Sequence, residues 1–393
     1  MNPAILHKNV QEFISNNLKT DLTKLILKGS PFHTVTIQEL ATQIVSKKKS
    51  AKKLPSWFTT RNIIYPPKLN IEQSSSEITA RYKSSLVSGT SLIDITGGFG
   101  VDTYAFSKQE KEVTHCEINP DLSTIVAHNY KQLGVKNIRT ISGDGIGYLK
   151  NASENFDCIY IDPSRRNEAK GKVFLLKDCL PNVPENLDFL FSKSNTILIK
   201  NSPILDITST INELNFVKEI HIVAVDNEVK ELLFLLEKDH AKNIQIKTIN
   251  FQKETQQEFQ FTSNKEVVSS YSEPLTYLYE PNAAILKSGG FHQVSQQLTV
   301  FKLHQHSHLY TSTKRIEFPG RVFKIEQVIP YDRKQLKKLV KDGKANITTR
   351  NFPETVAQIR KKTTLKDGGH HYLFFTTDLN NKPLVIISTQ IFR

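Results

Sequence analysis

Between about residues 91 and 239, short apolar runs alternate with stretches of helical period. The predicted strands are 91–95, 112–117, 138–141, 156–161, 196–200, 221–225 and 232–236. Strand and helix alternating at this interval imply βαβ units. The expected fold class is α/β, a doubly wound and mainly parallel seven-stranded sheet. Before it, Val10, Phe13, Ile14, Leu18, Leu22, Leu25 and Ile26 recur at helical spacing, so residues 1–73 read as an N-terminal helical unit. The spacing Ser74 to Glu77 reads as a capping box opening a helix over 78–87. After about residue 248 polar and apolar residues alternate with aromatics, which marks a C-terminal α+β region. Phe318-Pro319-Gly320 divides it into 249–321 and 322–393, leaving 74–248 as the sheet domain.

The chain has 393 residues and a formal net charge of +13, distributed unevenly. Residues 1–90 carry +8, residues 91–250 carry −4 and residues 251–393 carry +9. Basic flanks around a near-neutral core suit a polyanionic partner. No apolar run approaches the roughly 18 residues that span a bilayer, and the first thirty residues lack a signal-peptide core, so a cytoplasmic protein is expected. Cys116, Cys158 and Cys179 form no CxxC pair and read as buried thiols of a reducing compartment. Lys47, Lys48, Lys49, Lys52 and Lys53, followed by Trp57 and Phe58, form either a solvated helix end or a nucleic-acid surface.

The segment from Leu92 to Asp102 is a strand, a turn with Thr96, Gly97, Gly98, Phe99 and Gly100, and a helix start. Such a loop lets a ligand approach the backbone and by itself suits NAD, FAD or a nucleoside. Three acids narrow the choice. Glu117 ends the next strand, where a carboxylate can accept ribose hydroxyls, with Asn119 just beyond it. Asp144, before Gly145, follows the third strand and can accept from an adenine amino group. Asp94 precedes the glycines, where it suits the ammonium of an amino acid better than a pyrophosphate. An adenosine joined to an amino acid is S-adenosylmethionine.

In order, Asp94-x-x-Gly97-Gly98-x-Gly100, Glu117, Asp144 and Asp162-Pro163 resemble motifs I to IV of class I, Rossmann-like S-adenosylmethionine-dependent methyltransferases. The likeness covers about residues 75–240, with Thr96 where many members have a glycine. It implies that Asp102 also serves the cofactor. It further implies that a helix with Gln73, Ser74, Ser75, Tyr82 and Lys83 packs beside the methionine end. A strand ending in Asp162-Pro163-Ser164-Arg165-Arg166 would then place Asp162 at the transferred methyl group, with Pro163, Ser164 and Arg165 beside it.

A carboxylate with a neighbouring proline carbonyl can accept from an exocyclic amine, which points to methylation of a base nitrogen. Ser164 and Arg165 depart from the Asp-Pro-Pro-aromatic pattern, so no ring stacks on a flipped base; Arg165 can stack by its guanidinium plane or hold a phosphate. Carbon-5 methylation needs a cysteine that neither this segment nor Lys200-Asn201-Ser202-Pro203 supplies. Asn201 and Ser202 either line the acceptor pocket or form the turn before Pro203.

From Lys314 to Arg350 there are 11 basic and 4 acidic residues, with Arg333, Lys334, Lys337, Lys338, Lys341 and Lys344 along one predicted helix. The pattern Ala345 to Pro353, a helix to Arg360, Asp367-Gly368-Gly369 and strands at 371–377 and 383–388 resembles a THUMP-like domain. Tyr279-Glu280-Pro281-Asn282-Ala283 and Glu317-Phe318-Pro319-Gly320-Arg321 resemble the ferredoxin-like domain that accompanies it. The likeness implies RNA as partner, tRNA or rRNA, bound through Arg166, Lys334, Lys337, Lys338, Lys341 and Arg350. His304, His306 and His308 share a strand face as zinc ligands could, but without an acid or thiol they read as solvated or RNA-facing imidazoles, with no metal. Two other functions fit less of the sequence: a methyltransferase of proteins or small molecules, and an RNA-binding protein whose methyltransferase fold has lost catalysis.

Overall fold

The computed structural model describes residues 2–109, 112–165, 175–253, 255–263 and 266–392. It divides into two units. The first runs to Lys218 and includes Leu233–Ala241; the second is Glu219–Leu232 with Lys242 onward.

The first unit begins with helices α1 (Lys8–Asn16), α2 (Leu22–Lys28) and α3 (Ile37–Lys53). Their apolar faces bury Val10, Ile14, Leu25, Leu40 and Ile44 in one core, as the helical spacing predicts. Helix α4 (Pro55–Thr59) carries Trp57, which is buried and meets Tyr104 edge-on at 4.5 Å between ring centres. Trp57 therefore offers no stacking surface for a base, and Lys49 and Lys53 are occupied by Glu72 and by the carbonyls of Ile71 and Glu72. Helices α5 (Lys68–Gln73) and α6 (Glu77–Ser85) follow. The N-cap of α6 is Ser76, not Ser74, because Ser76 accepts from Thr79 N. Glu77 is engaged by the backbone N–H and hydroxyl of Ser56.

The sheet contains β1 (Ser91–Asp94), β2 (Glu112–Glu117), β3 (Ile138–Ser142) and β4 (Cys158–Ile161). A short ladder of β5 (Ser164–Arg165) and β6 (Cys179–Leu180) intervenes before β7 (Thr196–Asn201). The five parallel strands run in the order β3-β2-β1-β4-β7. In β1, β4 and β7 the middle residues are Leu, Ile and Tyr with almost no exposure, as strands covered on both faces require, while the edge strand β3 is half-exposed. Helices α7 (Val101–Ser107), α8 (Pro120–Gln132), α9 (Gly145–Asn151) and α10 (Val183–Lys193) join them. The order reverses between β1 and β4, so the ligand crevice of such a sheet lies beyond Asp94 and Asp162. All three cysteines are free and buried.

The chain crosses between units within β8 (Val217–Val225) and β9 (Glu228–Glu237). The turn between them has positive φ at both Asp226 and Asn227, the geometry of a tight hairpin. In the second unit β10 (Gln245–Phe251) pairs parallel to β8 and β11 (Gln256–Thr262) antiparallel to β10. All seven predicted strands are present, and β10 and β11 extend the sheet beyond them. The division drawn at 248/249 falls inside β10, and the polar and apolar alternation that follows is that of β11, where Gln256, Glu258 and Gln260 form one exposed face.

A second sheet holds β12 (Tyr277–Pro281), β13 (Phe301–Lys302), β14 (Tyr310–Ser312), β15 (Gly320–Pro330), β16 (Asn346–Thr349), β17 (His371–Thr377) and β18 (Pro383–Ile391), in the order β13-β14-β12-β15-β18-β17-β16. The basic helix α14 spans only Arg333–Leu339. Val340 leaves helical geometry and Gly343 takes φ +65°, so Lys341 and Lys344 lie beyond it. Helix α15 (Val356–Thr363) packs Ile359 with Leu336 and Val340 on one core. Among the described residues, no helix is long and apolar enough to cross a membrane.

Candidate functional site

Asp94 ends β1 with its side chain buried. One carboxylate oxygen accepts from Thr96 N at 3.0 Å, the other from Thr103 Oγ1 at 2.7 Å. Burial, against these two hydrogen bonds and with the charges of Asp102 and Asp162 adding to it, pushes its pKa up to about 7. The Thr96 hydroxyl lies 3.3 Å from Asp94 Oδ1 and accepts Asp162 N–H at 2.7 Å, joining the ends of β1 and β4.

Gly97 donates to Cys116 O at 2.8 Å, and a Cβ at Gly97 would stand 2.2 Å from His115 Nε2. Gly100 has φ +77° and presses against Tyr130, whose hydroxyl donates to Gly100 O. Phe99 is buried with Trp57, so of the loop residues it serves the core. His115 itself is fully buried, and burial lowers its pKa to about 4, so the ring is neutral; both ring nitrogens lack a hydrogen-bond partner among the described residues.

Glu117 bridges two loops. Its carboxylate accepts from Gly98 N at 2.8 Å and from Asn119 N at 2.7 Å, each by one oxygen. Both oxygens retain acceptor capacity. Asn119 caps α8 through Leu122 N. Asp144, exposed, caps α9 through Gly147 N with one oxygen, while Gly145 is buried as the first residue of that helix.

Asp162 stands beyond β4, half-exposed, and its Oδ2 receives Lys200 Nζ at 2.5 Å. Lys200 was not among the expected site residues. It follows the pair Ile161↔Ile199 in the β4–β7 register, so it stands beside Asp162. Pro163 is half-buried; the backbone of Ser164 and Arg165 is taken up by pairing with Leu180 and Cys179. Arg166 lies outside the described residues. Asn201 is buried with neither amide atom hydrogen-bonded among the described residues, and the alternation of β7 sends it to the face opposite Lys200.

Asp102, expected to serve the cofactor, lies inside a buried network. Its Oδ2 accepts from Ser75 Oγ at 2.8 Å and Tyr160 Oη at 2.7 Å, and Lys83 Nζ is 3.2 Å from Oδ1. Burial alone would raise its pKa, but Lys83 and Lys200 with these hydroxyls bring it below the ordinary value. Ser74 and Ser75 lie between α5 and α6, not on a helix. Among the described residues the crevice thus gathers Asp94, Asp102 and Asp162 against Lys83 and Lys200.

In the second unit Lys334, Lys337 and Lys338 lie on α14, all exposed, with Lys341 exposed beyond it. Arg350 differs: its Nη2 is 2.9 Å from Glu280 Oε1, while Glu280 Oε2 accepts from Arg321 Nε at 2.8 Å. Glu280 is buried, so the partly exposed Arg350 and Arg321 are paired around one buried acid. His304 bonds to Asn351 and Asn381, and His308 stacks on Phe291 at 3.5 Å. Residues 304–308 form a turn between β13 and β14, so the three imidazoles do not share a strand face. Among the described residues no group of three or more His, Cys, Asp or Glu could hold a metal ion.

Strand order, glycine loop and an acid-lined switch point define a Rossmann-like methyltransferase fold. Residues 277–319 match the family model of a ferredoxin-like domain and residues 320–390 that of a THUMP domain-like family. Both matches lie in the one second sheet, joined by β12 pairing with β15. The crystal structure of a candidate methyltransferase from Porphyromonas gingivalis W83 aligns over 99% of this chain and 98% of that one, with a TM-score of 0.89 and 32% identity. The chain belongs to the family of that protein. Partial likenesses extend to a Pyrococcus abyssi tRNA (uracil-54, C5)-methyltransferase in complex with S-adenosyl-L-homocysteine (17% identity, 45% of this chain and 40% of that one, TM-score 0.30). They extend also to a Streptococcus thermophilus rRNA methylase (14%, 42% and 98%, 0.31). At these scores they carry no argument. No match was found among curated proteins.

Proposed function

We propose that the protein is a cytoplasmic S-adenosylmethionine-dependent methyltransferase of structured RNA, tRNA or rRNA, acting on a base nitrogen. The observation that carries the reading is the crevice at the switch point: a buried acid, Asp94, beside a glycine loop tied to Glu117. A buried acid fits a ligand bearing positive charge, and Glu117's remaining lone pairs fit a diol. A Cβ at Gly97 would stand 2.2 Å from His115 Nε2, so the ring beneath the loop leaves room only for glycine at this turn. Asp94 would hold the ammonium, with Thr96, Gly97, Gly98 and Gly100 forming the floor. Glu117 and Asn119 would take the ribose side, and Asp144 and Gly145 the adenine. When bound, S-adenosylmethionine supplies an electrophilic methyl group.

Asp162, with the Pro163 carbonyl, would accept hydrogen bonds from the acceptor amine, and Ser164, Arg165 and Arg166 are proposed to serve the substrate. The likeness of residues 320–390 to THUMP domains, and the exposed Lys334, Lys337, Lys338 and Lys341, support RNA as the partner. We take 1–73, 74–248, 249–321 and 322–393 as the working domain divisions.

Calorimetry with S-adenosylmethionine and S-adenosylhomocysteine tests the cofactor, and Asp94→Ala should abolish both signals. Labelled cofactor with total RNA from a strain lacking the gene, followed by mass spectrometry of nucleosides, tests the substrate. Cofactor binding without transfer to any RNA would sink the RNA reading. RNA affinity should fall with salt by a log–log slope of about −0.7 for each single-stranded phosphate neutralised.

A further inference from the structure

Lys200 sits at the end of a strand whose preceding residues, Ile197, Leu198 and Ile199, are completely buried. A lysine there could extend its long stem to water. Instead its side chain is 13% exposed and its ammonium is held 2.5 Å from Asp162 Oδ2. The backbone of Asp162 is fixed independently, through its N–H to Thr96 Oγ1 at 2.7 Å. The ammonium takes one lone pair of Oδ2, while Oδ1 receives no hydrogen bond among the described residues, so Oδ1 is the less encumbered oxygen for an acceptor. Lys83 is the other cation of the cluster and is committed to Asp102 and to Ser75. Among the described residues, removing Lys200 would leave Asp94, Asp102 and Asp162 facing one cation.

We infer that Lys200 is a positioning residue for methyl transfer: it compensates the Asp162 carboxylate and dictates which of its oxygens meets the acceptor. The inference rests on the proposed function and adds a residue and a reason to it. Transfer forms a bond from the acceptor nitrogen's lone pair to the methyl carbon and breaks the carbon–sulfur bond. The sulfur keeps that pair and loses its positive charge, and the nitrogen's surplus proton leaves to solvent. A bare carboxylate beside a positive sulfur would stabilise the bound state more than the transition state, in which that charge is already dispersing. Pairing the carboxylate with an ammonium removes that penalty while leaving Oδ1 to align the acceptor.

The test compares wild type, Lys200→Met, Lys200→Gln and Lys200→Arg as full chains, with folding checked by thermal melts. Calorimetry measures affinity for S-adenosylmethionine, whose sulfur is charged, and S-adenosylhomocysteine, whose sulfur is neutral. In the Met variant the affinity ratio should shift toward the charged ligand by roughly fivefold, the size of one screened charge at several ångströms. Transfer to RNA should fall by at least roughly tenfold in kcat, and Arg should restore both. The Gln variant gives the same comparison should Met unfold the chain. An unchanged ratio in a folded neutral variant, with transfer intact, overturns the inference while leaving the methyltransferase reading standing. A wild type that binds neither nucleoside overturns that reading and this inference with it.

Discussion

Thr96 Oγ1 accepts the backbone N–H of Asp162 at 2.7 Å while lying 3.3 Å from Asp94 Oδ1, so one hydroxyl ties together the two strand ends that form the crevice. A valine has nearly the same shape without the hydroxyl. Thr96→Val should therefore leave the Asp162 N–H unpaired and cost about 1–2 kcal/mol in urea denaturation. Thr96→Ser should stay within about 0.5 kcal/mol of wild type. A Val variant as stable as Ser would show that the bond does not hold the crevice together.

Asp94 gives a pH dependence with a definite sign. Burial, with Asp102 and Asp162 nearby, raises its folded pKa to about 7 from an ordinary value near 3.8. A raised carboxyl contributes stability that is fully present below about pH 4 and is lost as pH rises through about 7. Asp94→Asn removes the group, so between about pH 5 and pH 8 the wild-type melting temperature should fall relative to the variant. The empty-state proton also competes with a cationic ligand. Binding of S-adenosylhomocysteine by the wild type should strengthen as pH rises toward about 7 and then level off; calorimetry across that range reads it directly.

Local spacing made much of this site legible. A strand, a glycine turn and an acid at fixed intervals are properties of contiguous sequence, which is why β1, its loop, Glu117 and Asp162 were anticipated. What escaped is made by contacts through space. Lys200 meets Asp162 across 38 positions, and Ser75 reaches Asp102 across 27. Neither spacing is periodic, and the sheet order that creates them depends on which strands become neighbours. One signal was readable: His115 and Glu117 are two apart on a strand and so share a face, which places a ring under the same loop that Glu117 binds. The basic helix was read too long because charge pattern alone does not reveal where Gly343 turns the chain. Trp57 beside a lysine run looked like a nucleic-acid surface, yet its area is better hidden in the core, where aromatic burial is most favourable.

The contact between Gly97 and His115 can be tested as a pair. Gly97→Ala puts a methyl 2.2 Å from Nε2 of a buried ring, and overpacking of this kind costs about 1–3 kcal/mol. His115→Ala opens space and removes two nitrogens that have no hydrogen-bond partner among the described residues. In that background Gly97→Ala should cost less than about half as much, a coupling that denaturation of the four proteins in a double-mutant cycle would measure. Equal penalties in both backgrounds would place the strain elsewhere in the loop.

Lys83 and Asp102 are the deepest charged pair of the first unit, with Lys83 showing no exposed side-chain surface. Lys83→Met leaves the Asp102 carboxylate buried with two hydroxyl donors and no ammonium, and should cost about 3–5 kcal/mol. Lys83→Met combined with Asp102→Leu removes both charges and should recover part of that loss, because an apolar pair has no desolvation to offset; Tyr160 and Ser75 would still lose an acceptor, so recovery should be incomplete. The depressed pKa of Asp102 adds a second readout. Its contribution is present above the ordinary carboxylate pKa and lost as pH falls through the folded value, so the double variant should show a shallower acid limb than wild type. If Lys83→Met alone proves as stable as wild type, the pair contributes nothing to the fold, and the lysine's burial must instead serve the charge balance of the crevice.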